Sequence, residues 1–282
     1  MPDRDAEESV SQPIELVYQD QYMVAVNKPS GIMTHPSRLS EDRAPSAMEL
    51  LRDRLGQWVY PIHRLDRATS GVLLFALDPE IARSLHEQFA TGMVKKQYLA
   101  VTRGYAPDRG EIDRPLQEKR DRITDRDAQI NKAPQEAQTS FETWARVSLA
   151  TPLGRYPTAR FSLVAAYPHT GRRHQIRRHL AGINYPLIGD TTHGRGEINR
   201  FMRSRYQCNR LLLSAINLKI RHPLDPSAEL SIEAPLSGEM AHVCAQLFLP
   251  SENGHEALEL HEGPLWLTDS QSLRQRIASL HA

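Results

Sequence analysis

Residues 60–76 read YPIHRLDRATSGVLLFA. Asp66 stands between Arg64 and Arg67, with His63 close by, just ahead of an apolar run. A carboxylate among guanidinium groups is held ionised, and in that state it can act as nucleophile or base. The same pattern also fits an Asp that caps a turn or pairs with a neighbouring Arg. The run GVLLFAL, bounded by Gly71 and by DPE, has the length and composition of a buried strand. Asp66 is therefore expected at a strand end, where rigid scaffold often presents reactive groups.

A second set of residues could hold anions. From Thr143 to Gly189 there is no Asp or Glu, but there are Arg146, Arg155, Arg160, Arg172, Arg173, Arg177 and Arg178, with His169, His174 and His179. Charge runs are usually solvated faces. Here every such cation is Arg and none is Lys, which favours two-point recognition of phosphate. The segment GRRHQIRRHLAG reads as a helix capped by Thr170. That places Arg172 and Arg173 in the first turn, where cations are disfavoured, and Arg173 one turn from Arg177, a like-charge clash. An anion at the helix start would relieve both. Ile176 and Leu180 fall on the core-facing side. His174 and His179 fall on different faces and lack Cys or Glu partners, so no metal site is expected. Tyr98, in KKQYLAV, reads either as a core strand residue or, beside Lys95 and Lys96, as a platform for a base.

These residues need elements to position them. IELVYQDQYMVAVNKPSG reads as two strands about a tight turn, AMELLRDRLG as a short helix closed by Gly56, and DPEIARSLHEQFATG as a helix with Asp78 as cap and Pro79 at its first position. KKQYLAVTRG reads as a strand, 106–138 as charged and irregular, and TSFETWARVSLA with TARFSLVAAYP as a hairpin. NYPLIGDTTHG reads as loop, RLLLSAINLKIRHPLDPSAELSIEAP as strand–turn–strand, and GEMAHVCAQLFL as a helix. Hairpins dominate and helices interrupt them irregularly, which is α+β with a mixed, largely antiparallel sheet. Residues 1–13 are expected to be a disordered tail, 14–250 the working domain and 251–282 an extension without a motif.

Composition narrows the class. The 282 residues can bury a sizeable core. Lys and Arg number 35 against 34 Asp and Glu, so any case for nucleic acid rests on local charge. Cys208 and Cys244 give neither a disulfide framework nor metal spacing. The N-terminus lacks an apolar signal region and no run approaches a membrane span. A cytoplasmic protein without membrane contact is expected.

The block HRLDRATSGVLLFA resembles the signature of the RluA-type pseudouridine synthases. NKPSGI at 27–32, KKQYLAVTRG at 95–104 and TGRRHQIRRHL at 170–180 resemble that family's other blocks in the same order, and YPLIGDTTHG and LLLSAINLKIRHP continue the match. The resemblance spans about residues 14–235. It implies a long mixed sheet with a central catalytic cleft flanked by helices, and conversion of uridine to pseudouridine in RNA without a cofactor. Asp66 matches the catalytic aspartate, Tyr98 the tyrosine stacked on the target base, Arg177 the arginine paired with the aspartate, and Arg64 the arginine that fills the gap left by the flipped base. Arg67, Arg172, Arg173, Arg178 and His174 complete the expected RNA-facing set. No second carboxylate is needed, because the uracil is detached at N1, rotated and rejoined through C5. GRYPTARFSLV and GRRHQIRRHLAGINYPLIGDTTHG are most similar to a branch that acts on tRNA at position 65 and lacks an S4-type RNA-binding domain. A monomer acting on the acceptor–T-arm region is the expectation. Ribosomal RNA as target, a binding module that lost catalysis, and an N-glycoside hydrolase are the competing readings. Intact Asp66, Tyr98 and Arg177 argue against the second, and the single obvious carboxylate and the arginine-rich stretch against the third.

Overall fold

The run SGVLLFA forms strand β4 (Ser70–Ala76), and all of its residues are buried. A strand with neighbours at both edges and packing on both faces has no solvent side, so its sequence is apolar without alternation. The computed structural model describes residues 14–36, 44–117, 133–236, 238–248 and 261–262. Among these, eleven strands form one sheet, accompanied by five helices. The path runs β1 (Glu15–Gln19), β2 (Met23–Lys28), β4, β9 (Leu213–His222), β5 (Lys95–Arg103), β8 (Ala159–Pro168), β7 (Gln138–Leu149) and β11 (His261–Glu262). In addition β3 (Tyr60–Pro61) pairs with β4, β6 (Arg109–Asp113) with β7, and β10 (Asp225–Glu233) with β9. Every pairing is antiparallel except β4 with β9. The fold is thus the mixed, largely antiparallel α+β sheet that the hairpin-rich sequence implies.

The parallel contact is short. It joins Ser70 to Ser214 and Gly71 to Ala215, and it lies at the middle of the sheet. A Cβ on Gly71 would stand 2.1 Å from the Ala215 carbonyl oxygen, and Gly71 has φ +104°. Only glycine allows this approach. The Asp66 segment emerges at that seam.

Helices cover both faces. Helix α1 (Ala47–Leu55) starts at a capping box of Ser46 and Glu49 and stops at Gly56 in the left-handed conformation. Helix α2 (Pro79–Ala90) is capped by the Asp78 carboxylate and lays Ile81 and Leu85 on the β2–β4 half. Helix α3 (Gln175–Gly182) presses Ile176 and Leu180 against β5 and β8. Helices α4 (Gly196–Tyr206) and α5 (Gly238–Phe248) cover the opposite face over Leu99, Val101 and Leu163. Each fully buried Leu or Ile of this kind contributes roughly 1.5–3 kcal/mol.

The structure departs from the sequence reading at several points. The helix read from Gly171 begins at Gln175, because His174 takes a left-handed backbone (φ 54°) that an α-helix does not admit. Thr170 is not its cap: its hydroxyl donates to the Gln175 side-chain oxygen, which also accepts the Arg172 amide. The stretch 106–138 is not wholly irregular, since it contains β6. Helix α4 was not anticipated, its apolar residues Ile198, Met202 and Tyr206 being diluted by four cations in and just before it. Two residues of the segment read as an extension, His261–Glu262, add strand β11 to β7. The tail 1–13 and the rest of 251–282 lie outside the described residues. Among the described residues no helix is long and apolar enough to cross a membrane, and Cys208 and Cys244 are free and buried.

Candidate active site

The loop carrying Asp66 is held by the NKPSGI segment. The amide of Gly31 donates to the Arg67 carbonyl at 2.8 Å, and Ser30 Oγ donates to the Ala68 carbonyl at 2.7 Å. Thr34 Oγ1 donates to the Leu65 carbonyl and accepts the Leu65 amide. The fully buried Lys28 ammonium donates to the carbonyls of Pro29, Ile32 and Arg67. Burial, with Arg210 adding to it, pushes Lys28 down to about 7. The turn closes with the Thr69 amide on the Asp66 carbonyl. Backbone polar groups on either side of Asp66 are thereby paired, and its carboxylate is left to face outward with 26% exposure.

The cation that meets Asp66 comes from far along the chain. Arg177 Nη1 donates to Asp66 Oδ2 at 3.3 Å. The same guanidinium donates through Nε and Nη2 to the two oxygens of Asp190, at 2.8 and 2.9 Å. Arg177 and Asp190 side chains are 6% and 0% exposed. Burial alone would push the Asp190 carboxyl up. The bonds from Arg177 and from the amides of His193 and Thr192 outweigh it and hold Asp190 below the ordinary carboxylate value. Asp190 is the functional residue that sequence reasoning left unassigned. It lies in the quoted block YPLIGDTTHG, and the signal was a lone acid after a long acid-free stretch.

Tyr98 lies on β5 where the register against β9 slips between Gln97 and Tyr98. Such a bulge re-aims a side chain, and Tyr98 packs against the clusters on both halves of the sheet, beneath Asp66. Burial, then the Asp66 charge, push its phenol up, so it stays protonated. His174 Nε2 lies 3.9 Å from Asp66 Oδ2, and its Nδ1 is 3.1 Å from His193 Nε2. Burial, together with Arg177 and Arg173, brings His174 down to about 4 against the pull of Asp66. His63, suggestive beside Asp66 in sequence, accepts the Leu74 amide and stacks on Phe89. Burial and nearby Lys96 bring it down to about 3. It ties the loop to β4 as a neutral ring.

The flanking arginines do not pair with Asp66. Arg67 Nε donates to the Gly31 carbonyl, and Arg64 projects exposed into the cleft mouth. The acid-free stretch also divides. Arg146 turns to the Ala106 carbonyl and Asp108, while Arg155 and Arg160 lie near Tyr156 and Tyr105. Arg172 lines the cleft and donates to the Glu136 carbonyl. Arg173 is exposed beside it, ahead of α3, and Arg178 is half-buried on α3 near Arg114. Since Arg172 and Arg173 precede the helix, the helix-start clash expected from sequence is absent and no longer argues for an anion there.

Asp66, Tyr98, Arg177, His174, Arg64 and Arg172 converge on a cleft of about 800 Å³. Among the described residues Asp66 is the sole acid lining it. A protonated tyrosine under a carboxylate, with cations at the mouth, suits a flat ring stacked beside a nucleophile and an anionic strand outside. Among the described residues no group of three or more His, Cys, Asp or Glu could hold a metal ion.

Known proteins resemble this chain in sequence and in fold. The model of the RNA pseudouridylate synthase family matches residues 22–182. A tRNA pseudouridine synthase C of Pectobacterium carotovorum subsp. carotovorum is 44% identical over 246 residues, 86% of this chain and 65% of that protein. The proteins of that name from Yersinia pestis and Pasteurella multocida are 46% and 48% identical, over 76% and 75% of this chain and 84% and 87% of theirs. The solved structure of human RNA pseudouridylate synthase domain containing 4 superposes with TM-score 0.62 at 25% identity, over 85% of this chain and 95% of that one. Human RNA pseudouridylate synthase domain containing 1, at 23% identity, has the same fold with TM-score 0.63 over 94% of this chain and 95% of that one. With an aspartate loop clamped at the sheet seam, a tyrosine beneath it and a matching family model over more than half its length, the chain belongs to the RNA pseudouridylate synthase family.

Proposed function

We propose that this protein converts uridine to pseudouridine in tRNA, at position 65, working as a monomer in the cytoplasm with Asp66 as its catalytic residue. The observation that carries the reading is the convergence of Asp66, Tyr98 and Arg177 in one cleft with no other acid along its lining among the described residues. The tRNA in the names of the similar bacterial proteins, and the blocks at 154–164 and 171–194, support the choice of RNA.

The reaction breaks the N1–C1′ bond, turns the uracil and forms a C5–C1′ bond. The C5 proton is lost and N1 gains one, so nothing is oxidised or reduced. A uridine inside an RNA arm must leave its stack, at a cost of a few kcal/mol. Tyr98 supplies a surface worth about 1–3 kcal/mol of stacking, and exposed Arg64 fills the gap in the RNA. Asp66 faces the ribose and ring, and Arg177 fixes its carboxylate. Arg172 and His174 line the cleft, and with Arg173, Arg178 and Arg67 they are the residues we assign to the phosphates and shape of an acceptor–T-arm helix.

Tritium release from [5-³H]uridine-labelled tRNA tests the chemistry, since C5 loses its hydrogen when it becomes the glycosidic carbon and keeps it when the N1–C1′ bond is merely hydrolysed. Free uracil in place of released tritium would mean hydrolysis. Chemical mapping in cells lacking the protein tests the target. Loss of an rRNA site with position 65 of tRNA intact would move the substrate and keep the chemistry.

A further inference from the structure

Lys28 is fully and Lys96 partly withdrawn from water, and the protein uses them differently. An ammonium carries three N–H donors. Lys28 gives them to the carbonyls of Pro29, Ile32 and Arg67, and is a fastening. Lys96 is half-buried on β5, next but one to Tyr98, and lines the cleft. Among the described residues it has one acceptor, the Thr170 carbonyl at 3.0 Å, and no carboxylate partner. Partial burial without such a partner is costly for an ammonium, and burial brings Lys96 down to about 8.

We propose that Lys96 is a phosphate-binding residue of the cleft, taking a backbone phosphodiester of the RNA strand whose base lies on Tyr98. The inference rests on the reading of this cleft as an RNA site and adds a contact to it. Three observations point to an anion. Among the described residues the ammonium has two donors without a protein acceptor. Among the described residues the cleft wall offers no acid other than Asp66. The buried Arg177 is committed to Asp190 and Asp66. A compact ammonium suits phosphate as a point charge. The groups facing Lys96 do not compete for this role. His63 is a neutral ring from the loop after β3, and His86 of α2 is bonded to the Pro61 carbonyl. His169, after β8, is bonded to Ser140, and Arg172, beyond it, to the Glu136 carbonyl. Tyr98 is a protonated phenol, and Arg64 lies at the mouth.

The test measures binding of an unmodified tRNA transcript to the full chain carrying Asp66→Asn, which prevents turnover, across a range of salt and pH. Adding Lys96→Gln should weaken binding about tenfold and make the log–log salt slope smaller by about 1. Adding Lys96→Arg should keep affinity and slope near pH 7. Wild-type Lys96 binds while protonated, so affinity falls as pH rises above about 8, by up to roughly tenfold at pH 9, as the free amine loses its proton. Lys96→Arg should abolish that fall, because a guanidinium stays charged. An unchanged slope in Lys96→Gln, or a pH fall that persists in Lys96→Arg, overturns the proposal. If Lys96→Gln does not fold by thermal unfolding, the Lys96→Arg comparison decides alone. Tritium release by the wild-type protein separates the two readings. Release with no Lys96 effect removes only the subsite, whereas a Lys96-dependent slope without release keeps the subsite and removes the isomerase reading.

Discussion

Arg177 belongs to Asp190 before it belongs to Asp66. It makes two short bonds to the first, at 2.8 and 2.9 Å, and one longer bond to the second, at 3.3 Å. Asp190 therefore sets the plane and reach of the guanidinium, and Asp66 meets a cation that is already fixed. This order of attachment decides what substitutions at the three positions should do.

Replacing Arg177 by Met leaves Asp190 buried without its counter-charge. Breaking a buried pair by removing one partner costs about 3–5 kcal/mol. Urea unfolding of Arg177→Met should show a loss of that order. A variant as stable as the parent would mean that Asp190 is satisfied by the Thr192 and His193 amides alone.

Asp66→Asn should behave in the opposite way. The Asp66 side chain is 26% exposed and its loop is held through the backbone, so stability should change by less than about 0.5 kcal/mol. Tritium release should fall by roughly 10³-fold or more, by analogy with single losses from catalytic units, with tRNA affinity kept. Turnover near that of the parent would remove the catalytic role of Asp66.

Tyr98 separates ring from hydroxyl. Tyr98→Phe keeps the stacking face and should bind tRNA within about threefold of the parent. Tyr98→Ala should lose the equivalent of about 1–3 kcal/mol. Equal binding by both variants, in a filter or fluorescence titration, would return Tyr98 to a packing role.

Acid should weaken the fold through two imidazoles. Burial, chiefly, holds His63 at about 3 and His174 at about 4, below the ordinary value near 6.5 that an unfolded chain restores. Their contribution is complete above about pH 6.5 and is lost as pH falls toward the folded values. At pH 5 each accounts for up to about 2 kcal/mol. The difference in urea stability between about pH 7 and pH 5 should shrink in His63→Gln, whose amide oxygen can still accept the Leu74 N–H. The same pH dependence in parent and variant would show that His63 is not held neutral.

Gly71→Ala probes the seam itself. Its methyl group would meet the Ala215 carbonyl at 2.1 Å on a backbone at φ +104°. A loss on the order of 3 kcal/mol or more is expected, visible as a fall in the thermal midpoint or in soluble yield.

Local pattern made much of this legible. Asp78 and Pro79 announced α2, the apolar run after Ser70 announced β4, and alternating and β-branched stretches announced β5, β7 and β8. Local pattern failed at α3, where the left-handed His174 is set by what its ring meets, Asp66 and His193, rather than by helix propensity. It also failed for the partner of Asp66. Arg64 and Arg67 were the neighbours in sequence, but their side chains leave the loop in other directions, and a cation from the far side of the cleft fills the place. Asp66 and Tyr98 came through the resemblance to a family, since an Asp at a loop end and a Tyr in a strand are each commonplace alone. Asp190 was visible only as an acid without an assigned role, because a buried counter-ion is defined by three-dimensional enclosure.

The position of β9 between β4 and β5 also sets an order of assembly. The strands that flank it are made early in the chain, and β9 itself begins only at Leu213. Until that segment leaves the ribosome, the sheet exists as two pieces, each with an apolar edge open to pairing with other chains. Asp66 on one piece and Tyr98 on the other cannot share a cleft until β9 joins them. Contacts so distant in sequence form slowly. The nascent protein is therefore inactive, and most prone to aggregate, until the segment Leu213–His222 has emerged and paired.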